Sequence, residues 1–191
     1  MATAPQAIAK PPQTTERLIT TVHSNSVVSD AAKPVKIDHY ADGAVVGPLG
    51  ENQHIGVIHF PLPLVLDAKQ EKDRPGLSSV IGRMGSLDVL EVDFTQVSGG
   101  GAHLGGGLSQ IVKAEIHVGC KKYWCTDLDK DTSFSVRVEK PLSQFSLDQP
   151  KGINVSLTIM FGGNKLRFCS TTVFGSALTM PGGGIIKPGE E

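Results

Sequence analysis

Short apolar runs alternate with clusters of Gly, Pro, Asn, Asp and Ser along the chain, and this punctuation restricts the fold strongly. The 22 Gly and 12 Pro among 191 residues are poorly suited to helix interiors. No segment keeps apolar residues at i, i+3, i+4 and i+7 over three turns. The pattern therefore predicts an all-β chain, with a sandwich, a barrel and a jelly roll as the available architectures.

The predicted strands number about eight, and several of them show the period of two that a half-buried strand requires. In the clearest case Ile153, Val155, Leu157 and Ile159 alternate with polar residues. Gly162-Gly163-Asn164 follows as a hairpin turn, which predicts that 166–178 returns as the partner strand. The other predicted strands are Arg17 to His23, Gly43 to Gly47, His54 to Phe60, Ser86 to Phe94, Gln110 to Val118 and Ser133 to Val138.

Alternation also predicts which side chains share a face within these strands. In 86–94, Leu87 and Val89 should point one way and Leu90 and Val92 the other. In 110–118, the expected common face carries Ile111, Lys113, Glu115 and His117, and in 133–138 it carries Phe134, Val136 and Val138.

Composition divides the chain into three parts. Residues 1–34, whose first part is rich in Ala, Pro, Gln and Thr, are expected to form a flexible N-terminal arm. Residues 35–180 are expected to form one antiparallel eight-stranded domain, and the Gly- and Pro-rich 181–191 a loose tail.

The charge of the chain does not indicate a partner that binds by simple electrostatic attraction. The formal net charge is −1 and no polybasic stretch occurs, so Lys10 and Arg17 in the arm are the candidates for contacting nucleic acid. Three cysteines cannot form a fully paired disulfide framework within one chain. Because neither a signal peptide nor an apolar run of membrane-spanning length is apparent, we expect a reducing cytosol and no membrane partner.

Most candidate catalytic and ligand-binding sites lack the residue spacing that their known motifs require. The glycine-rich 99–107 lacks the Lys-Ser/Thr end of a phosphate-binding loop. His117, Cys120 and Cys125, with His103 upstream, match no standard zinc spacing. No G-x-S-x-G motif supports a nucleophilic triad, so we expect no catalytic residues and no enzyme.

Two metal-site hypotheses remain from the spacing of oxygen and nitrogen ligands. Asp127, Asp129 and Asp131 form D-x-D-x-D, but Thr132 replaces the glycine of an EF-hand loop. A solvated acidic turn is the simpler interpretation, and a structural Ca²⁺ shared between neighbouring subunits is the alternative. A cupin-type site from His54, His59 and Glu115 is disfavoured, because cupins carry a tight H-x-H pair.

Residues 77–94, 149–159 and 169–180 are three segments that resemble parts of the tymovirus-like coat proteins of icosahedral plant viruses. Residues 77–94 (LSSVIGRMGSLDVLEVDF) are similar to a turn leading into a long strand with "hxSLxxLxV". Residues 149–159, with QPKG before INVSLTI, and 169–180 (CSTTVFGSALTM) look like the "SPKLLISI" and "TVSGTLSM" strands of that family. Residues 95–148 have no counterpart there.

The resemblance implies an eight-stranded jelly roll whose copies form an icosahedral shell around single-stranded RNA. The expected function is thus that of a structural capsid protein, present in the virion and, during assembly, in the host cytoplasm. The alternatives are a soluble β-sandwich binding module for a protein or small ligand and, less favoured, a cupin-type metalloprotein.

Overall fold

The computed structural model describes residues 15–66, 84–98, 107–141 and 151–178. The predicted C-terminal tail and most of the glycine-rich 99–107 lie outside these ranges. Eleven strands occur within them, where about eight were expected. They are β1 (Thr15–His23), β2 (Val28–Ser29), β3 (Lys36–Tyr40), β4 (Gly43–Gly47), β5 (Ile55–Leu66), β6 (Met84–Val97), β7 (Gln110–Val118), β8 (Lys121–Lys130), β9 (Phe134–Pro141), β10 (Lys151–Met160) and β11 (Lys165–Leu178).

The strands form two antiparallel sheets, which confirms the all-β prediction. The first sheet has the order β3-β4-β11-β6-β9, and β1 also pairs with β11, beyond the end of β4. The second sheet has the order β2-β5-β10-β7-β8. β10 and β11, the last two strands among the described residues, therefore lie at the centres of the two sheets.

The core lies between the sheets and is built from the alternating apolar residues. Ile153, Val155, Leu157 and Ile159 of β10 are all buried, as their spacing predicts. From the first sheet, the rings of Phe94 and Phe168 lie 5.5 Å apart, and Phe168 contacts Phe60 of the second sheet at 5.7 Å. These tilted aromatic contacts join the two sheets at the middle of the core.

Two face assignments were wrong because a bulge shifts the alternation by one residue. In β7 the register shifts between Ile111 and Lys113, so Ile111 is buried whereas Lys113 lies on the outer face. In β6 a shift beside Asp88 turns both Leu87 and Leu90 into the core. The face predicted for β9 is correct, since Phe134 and Val138 are buried and Val136 packs against the core.

The predicted hairpin between β10 and β11 is also wrong, because these strands belong to different sheets. Phe161 is buried, and the chain crosses the sandwich over residues 161–164. The Gly163 N–H donates to the carbonyl oxygen of Gly107 at 2.6 Å. A turn rich in glycine serves this close crossing as readily as it would serve a hairpin.

The N-terminal segment wraps one side of the sandwich. β1 pairs with β11 from Thr15 to His23, and a 3₁₀ turn over Ser24–Ser26 then leads to β2 on the opposite sheet. Buried Val27 anchors this crossing. Within the described residues, no helix has the length and hydropathy that a membrane crossing requires.

Candidate functional site

The outer face of the second sheet carries rows of polar side chains set by the strand register. In one row His59 of β5 lies opposite Ser156 of β10, Ser156 opposite Glu115 of β7, and Glu115 opposite Cys125 of β8. These residues face outward because their sequence neighbours fill the core. We call this surface the polar face.

A chain of three hydrogen-bonded side chains connects the N-terminal segment to the polar face. His59 Nε2 lies 2.9 Å from Oδ2 of Asp30, and His59 Nδ1 lies 2.8 Å from Oγ of Ser156. Asp30 Oδ1 accepts the N–H groups of Ala32 and Lys33, each at 2.8 Å. The hydrogen bond from His59, followed by that from the Lys33 amide, lowers the pKa of Asp30.

This Asp–His–Ser chain has the residue types of an acyl-transfer triad, which the sequence did not reveal. Asp30, His59 and Ser156 are 29 and 97 positions apart, so no local motif could have shown it. Ser156 is only 4% exposed, and β10 is paired on both sides, by β5 and β7. Backbone N–H groups beside Ser156 are therefore committed to the sheet rather than available to an oxyanion.

Glu115 organises the neighbouring part of the polar face. Its Oε1 lies 2.8 Å from Nζ of Lys113 and 3.4 Å from Nζ of Lys122, and its Oε2 lies 3.4 Å from Nε2 of His117. Burial opposes ionisation of Glu115, but Lys113 and the other donors bring its pKa below the ordinary value. Glu115 in turn raises the pKa of Lys113. The arrangement holds one carboxylate between two lysine ammonium groups and a histidine ring.

The polar face does not bring together the histidines and cysteines that the sequence analysis considered as metal ligands. His117 contacts Glu115, while Cys120 and Cys125 are exposed free thiols on the β7–β8 hairpin and on β8. Ser156 lies between His59 and Glu115 in the register, so a cupin-type pair is not formed there. His103 lies outside the described residues.

The three aspartates also do not converge within one chain. Asp127 and Asp129 lie on the exposed edge strand β8, and Asp131 follows that strand. Across the described ranges, no group of three or more His, Cys, Asp or Glu side chains could hold a metal ion. The calcium site between subunits stays a prediction, since its second half would come from another copy.

Of the two predicted nucleic-acid contacts, Arg17 lies on β1, opposite Ser176 of β11. Lys10 lies outside the described residues. Nucleic-acid binding by either residue stays a prediction.

A shallow groove of about 300 Å³ lies on the outer side of the first sheet. Ser133 Oγ donates to Asp93 Oδ1 at 2.8 Å, and Ser135 Oγ lies 3.5 Å from Glu91 Oε1. Sequence reasoning did not identify this groove, because its residues come from three strands and a turn. Its lining combines apolar surface with carboxylates and hydroxyls, and it comes from Glu91, Val92, Asp93, Ser133, Phe134, Ser135, Ser170 and Thr172.

Exposed apolar side chains gather where several loops meet, at one end of the sandwich. Ile55 and Met160 lie opposite each other in the β5–β10 register, and both are exposed. Gln53 Nε2 donates to the Ile55 carbonyl at 3.0 Å and Gln53 Oε1 accepts the Leu49 N–H at 2.6 Å, which brings exposed Leu49 to the same end. Leu108, also exposed, lies beside the 161–164 crossing. We call Leu49, Ile55, Leu108 and Met160 the apolar end.

Comparisons with known proteins leave the family open. No protein-family model matches the chain, and no curated protein does so. A solved structure titled "Crystal structure of Agl-KA catalytic domain" aligns with a TM-score of 0.36 and 10% sequence identity. That alignment covers 93% of this chain and 30% of the other, so this chain spans less than a third of that protein's length.

Proposed function

We propose that the chain is a capsid protein, a structural subunit that self-assembles into an icosahedral shell around a single-stranded RNA genome. The strand order carries this proposal. Strands β4 to β11 form the interleaved sheets β4-β11-β6-β9 and β5-β10-β7-β8. This order supports the proposed eight-stranded jelly roll, an architecture found in viral capsid domains as well as in lectins and cupins. The remaining strands, β1 to β3, are then additions from the N-terminal segment.

The apolar end supports self-association as the function of this jelly roll. Four large apolar side chains exposed together are typical of a protein contact surface. In a closed shell, loops from one copy meet a different surface of the next copy, and rotational symmetry closes the contacts. The second copy is the proposed occupant of the apolar end, because the resemblance of 77–94, 149–159 and 169–180 to coat proteins implies assembly with identical chains.

The polar face supports a structural rather than a catalytic role. Its serine is covered, and its carboxylate Glu115 is held among cations. In both arrangements neighbouring side chains hold the polar groups in fixed positions, which suits a structural surface. The proposed locations, which follow from a capsid role, are the virion and the host cytoplasm during assembly.

Size-exclusion chromatography with negative-stain microscopy tests the proposal. We expect uniform particles whose ultraviolet absorbance shows bound nucleic acid, and nuclease digestion then identifies RNA. A clean monomer at every pH and salt concentration would contradict the proposal. Repeating the assembly with a calcium chelator tests the shared site at Asp127, Asp129 and Asp131.

Substitutions separate the apolar end from the rest of the surface. Leu108→Asp places a charge in the apolar end, and we expect particle yield to fall at least tenfold while the monomer keeps its circular dichroism spectrum. Cys120→Asp is the matched control, because Cys120 is exposed on the β7–β8 hairpin, at the far end of the second sheet. Equal loss of particles in both variants would exclude the apolar end as the specific contact.

A binding module is the second candidate, and the groove of the first sheet favours it. Carboxylates and hydroxyls in a concavity suit a polyhydroxylated or cationic small molecule. Thermal shift against sugars and divalent cations, with Ser135→Ala as the variant, tests this candidate. Stabilisation that Ser135→Ala abolishes would support it, whereas no shift with any compound would exclude these ligand classes.

A further inference from the structure

We propose that β8, a terminal strand of the second sheet, pairs with β8 of a second copy of this chain, antiparallel and around a two-fold axis at Cys125. The five-stranded second sheets of the two copies then form one continuous sheet. This contact is separate from the apolar end and forms without a shell, so it goes beyond the proposed capsid function.

The outer side of β8 is an open edge in the part of the chain that the structure describes. There β8 pairs with β7 and with no other strand. It is ten residues long, whereas β2, at the other edge of the same sheet, has two. An edge strand presents a row of unpaired backbone N–H and C=O groups to another chain. β8 can therefore accept one more strand.

The charges on β8 favour an antiparallel copy of β8 as that strand. Charged side chains usually keep edge strands apart, because like charges on facing strands repel. In β8, however, basic Lys121 and Lys122 come first and acidic Asp127 and Asp129 come later. In an antiparallel pair, the start of one strand lies beside the end of the other. A second β8 therefore brings opposite charges together, and this self-complementarity identifies the occupant as another copy.

A bulge at Tyr123 determines which residues share the outer face of β8. The register pairs Trp124 and Lys122 with consecutive residues of β7, so Tyr123 is the extra residue. Tyr123 is buried and Trp124 packs against the core, so both point inward. Lys122 lies opposite His117 and therefore on the polar face.

An axis at Cys125 brings these residues into register between the copies. Cys125 then meets Cys125 and Thr126 meets Trp124. Beyond the bulge, Asp127 meets Lys122 on the polar face. Because the axis is two-fold, this ion pair forms twice, once on each side of the cysteines. A shift by one residue would set outer-face side chains against core-facing ones, which excludes such registers.

Both members of the ion pair are accessible to a second copy. Asp127 is exposed, and the Lys122 side chain is 51% exposed. Within one chain, Lys122 Nζ lies 3.4 Å from Glu115 Oε1, an oxygen that Lys113 Nζ approaches more closely, at 2.8 Å. Lys122 can therefore turn to Asp127 of a second copy without leaving Glu115 unpaired. Exposed ion pairs and a short strand pairing give a weak dimer, which is best detected by covalent trapping.

Disulfide trapping on the full-length protein tests the pairing. Cys120→Ser/Cys169→Ser leaves Cys125 as the sole cysteine, and Cys125→Ser/Cys169→Ser leaves Cys120. Both thiols are exposed. In the proposed dimer the two copies of Cys125 lie directly opposite, whereas the two copies of Cys120 lie roughly 30 Å apart along the strands. With diamide as the oxidant, we expect the linked dimer to form at least tenfold faster through Cys125, as measured on non-reducing gels.

A charge exchange tests the ion pair and the register. In the protein whose sole cysteine is Cys125, Lys122→Asp sets two carboxylates against each other and should slow cross-linking at least tenfold. Adding Asp127→Lys rebuilds the pair with its charges reversed and should recover at least half of the original rate. Adding Asp129→Lys instead is the matched control, because it restores the same net charge without rebuilding the pair. Circular dichroism checks that each variant is folded.

Several outcomes would overturn the proposal. They are equal cross-linking rates through Cys125 and Cys120, no recovery with Asp127→Lys, and equal recovery with Asp129→Lys. Loss of cross-linking on addition of a calcium chelator would also do so, because Asp127 would then bind metal rather than Lys122. Particles that form without Cys125 cross-linking would reject only the β8 pairing, whereas a cross-linked dimer without particles would reject only the capsid proposal.

Discussion

Gly162 passes so close to Leu108 that a Cβ atom on Gly162 would lie 2.6 Å from the Leu108 carbonyl oxygen, and it would lie closer still to that of Gly107. Real Cβ atoms essentially never approach a backbone oxygen to that distance. The chain can therefore cross from one sheet to the other at this point because residue 162 has no side chain. Gly162 and Gly107 together fix the entry into β11.

Gly162→Ala should destabilise the fold by roughly 1–3 kcal/mol, because the added methyl group must displace the backbone of Gly107 and Leu108. Urea unfolding followed by tryptophan fluorescence measures the change. Gly50→Ala is the matched control, since nothing lies within 4 Å of a Cβ at that position. Equal stability of the two variants would mean that the backbone at the crossing accommodates a methyl group without loss of folding free energy.

Asp30 predicts a dependence of stability on acid. Because the folded protein lowers the pKa of Asp30, this residue contributes stability above the unfolded aspartate pKa, and the contribution disappears as pH falls through the lowered value. The melting temperature of the native protein should exceed that of Asp30→Asn at pH 6, and the difference should begin to shrink below about pH 4 and close as pH falls through the lowered pKa of Asp30. A difference that persists unchanged at pH 3 would rule out ionisation of Asp30 as its cause.

Gln96 connects two loops at the apolar end of the sandwich. Its Nε2 donates to the carbonyl oxygens of Ser109 and Asp131, at 2.7 and 2.8 Å. Gln96→Ala leaves these part-buried carbonyls without that donor, so we expect a loss of about 1–3 kcal/mol in the free energy of unfolding. Gln110→Ala, on the outer face of β7, is the comparison. A loss no larger than in Gln110→Ala would show that water replaces the Gln96 amide.

Cysteine reactivity should differ between the first sheet and the hairpin. Burial, followed by the nearby Asp93 carboxylate, raises the pKa of Cys169, so less of it is thiolate at pH 8. Cys120 and Cys125 are exposed. Iodoacetamide should therefore modify Cys120 and Cys125 first and Cys169 about tenfold more slowly, measured by peptide mass spectrometry. Equal rates at all three sites would contradict the partial burial of Cys169.

The alternation of residues revealed the strands but not every face. β10 could be assigned because Ile153, Val155, Leu157 and Ile159 follow one uninterrupted period of two. The faces of β7 could not be assigned correctly, because the bulge beside Ile111 adds a residue and the local composition gives no sign of it. A single shifted residue moves every later side chain to the other face.

Contacts between segments that are distant along the chain also could not be predicted from the sequence. Gly162-Gly163-Asn164 is compatible with a hairpin and with a crossing between sheets, and only tertiary packing decides between them. The Asp30–His59–Ser156 chain depends on the register of β5 with β2 and β10. No spacing within one segment encodes such a register.

The central position of β10 and β11 has a consequence for synthesis of the chain. A ribosome makes β1 to β9 before either central strand exists, so β5 lacks its link to β7 and β4 its link to β6 until residues 151–178 have emerged. Neither sheet can form in full while the chain is incomplete. Until then, the strands already made expose unpaired edges. We therefore expect both sheets to form only after residues 151–178 have emerged from the ribosome, and to form slowly, because pairing between distant segments is slow. Messages truncated before codon 151 should yield insoluble products.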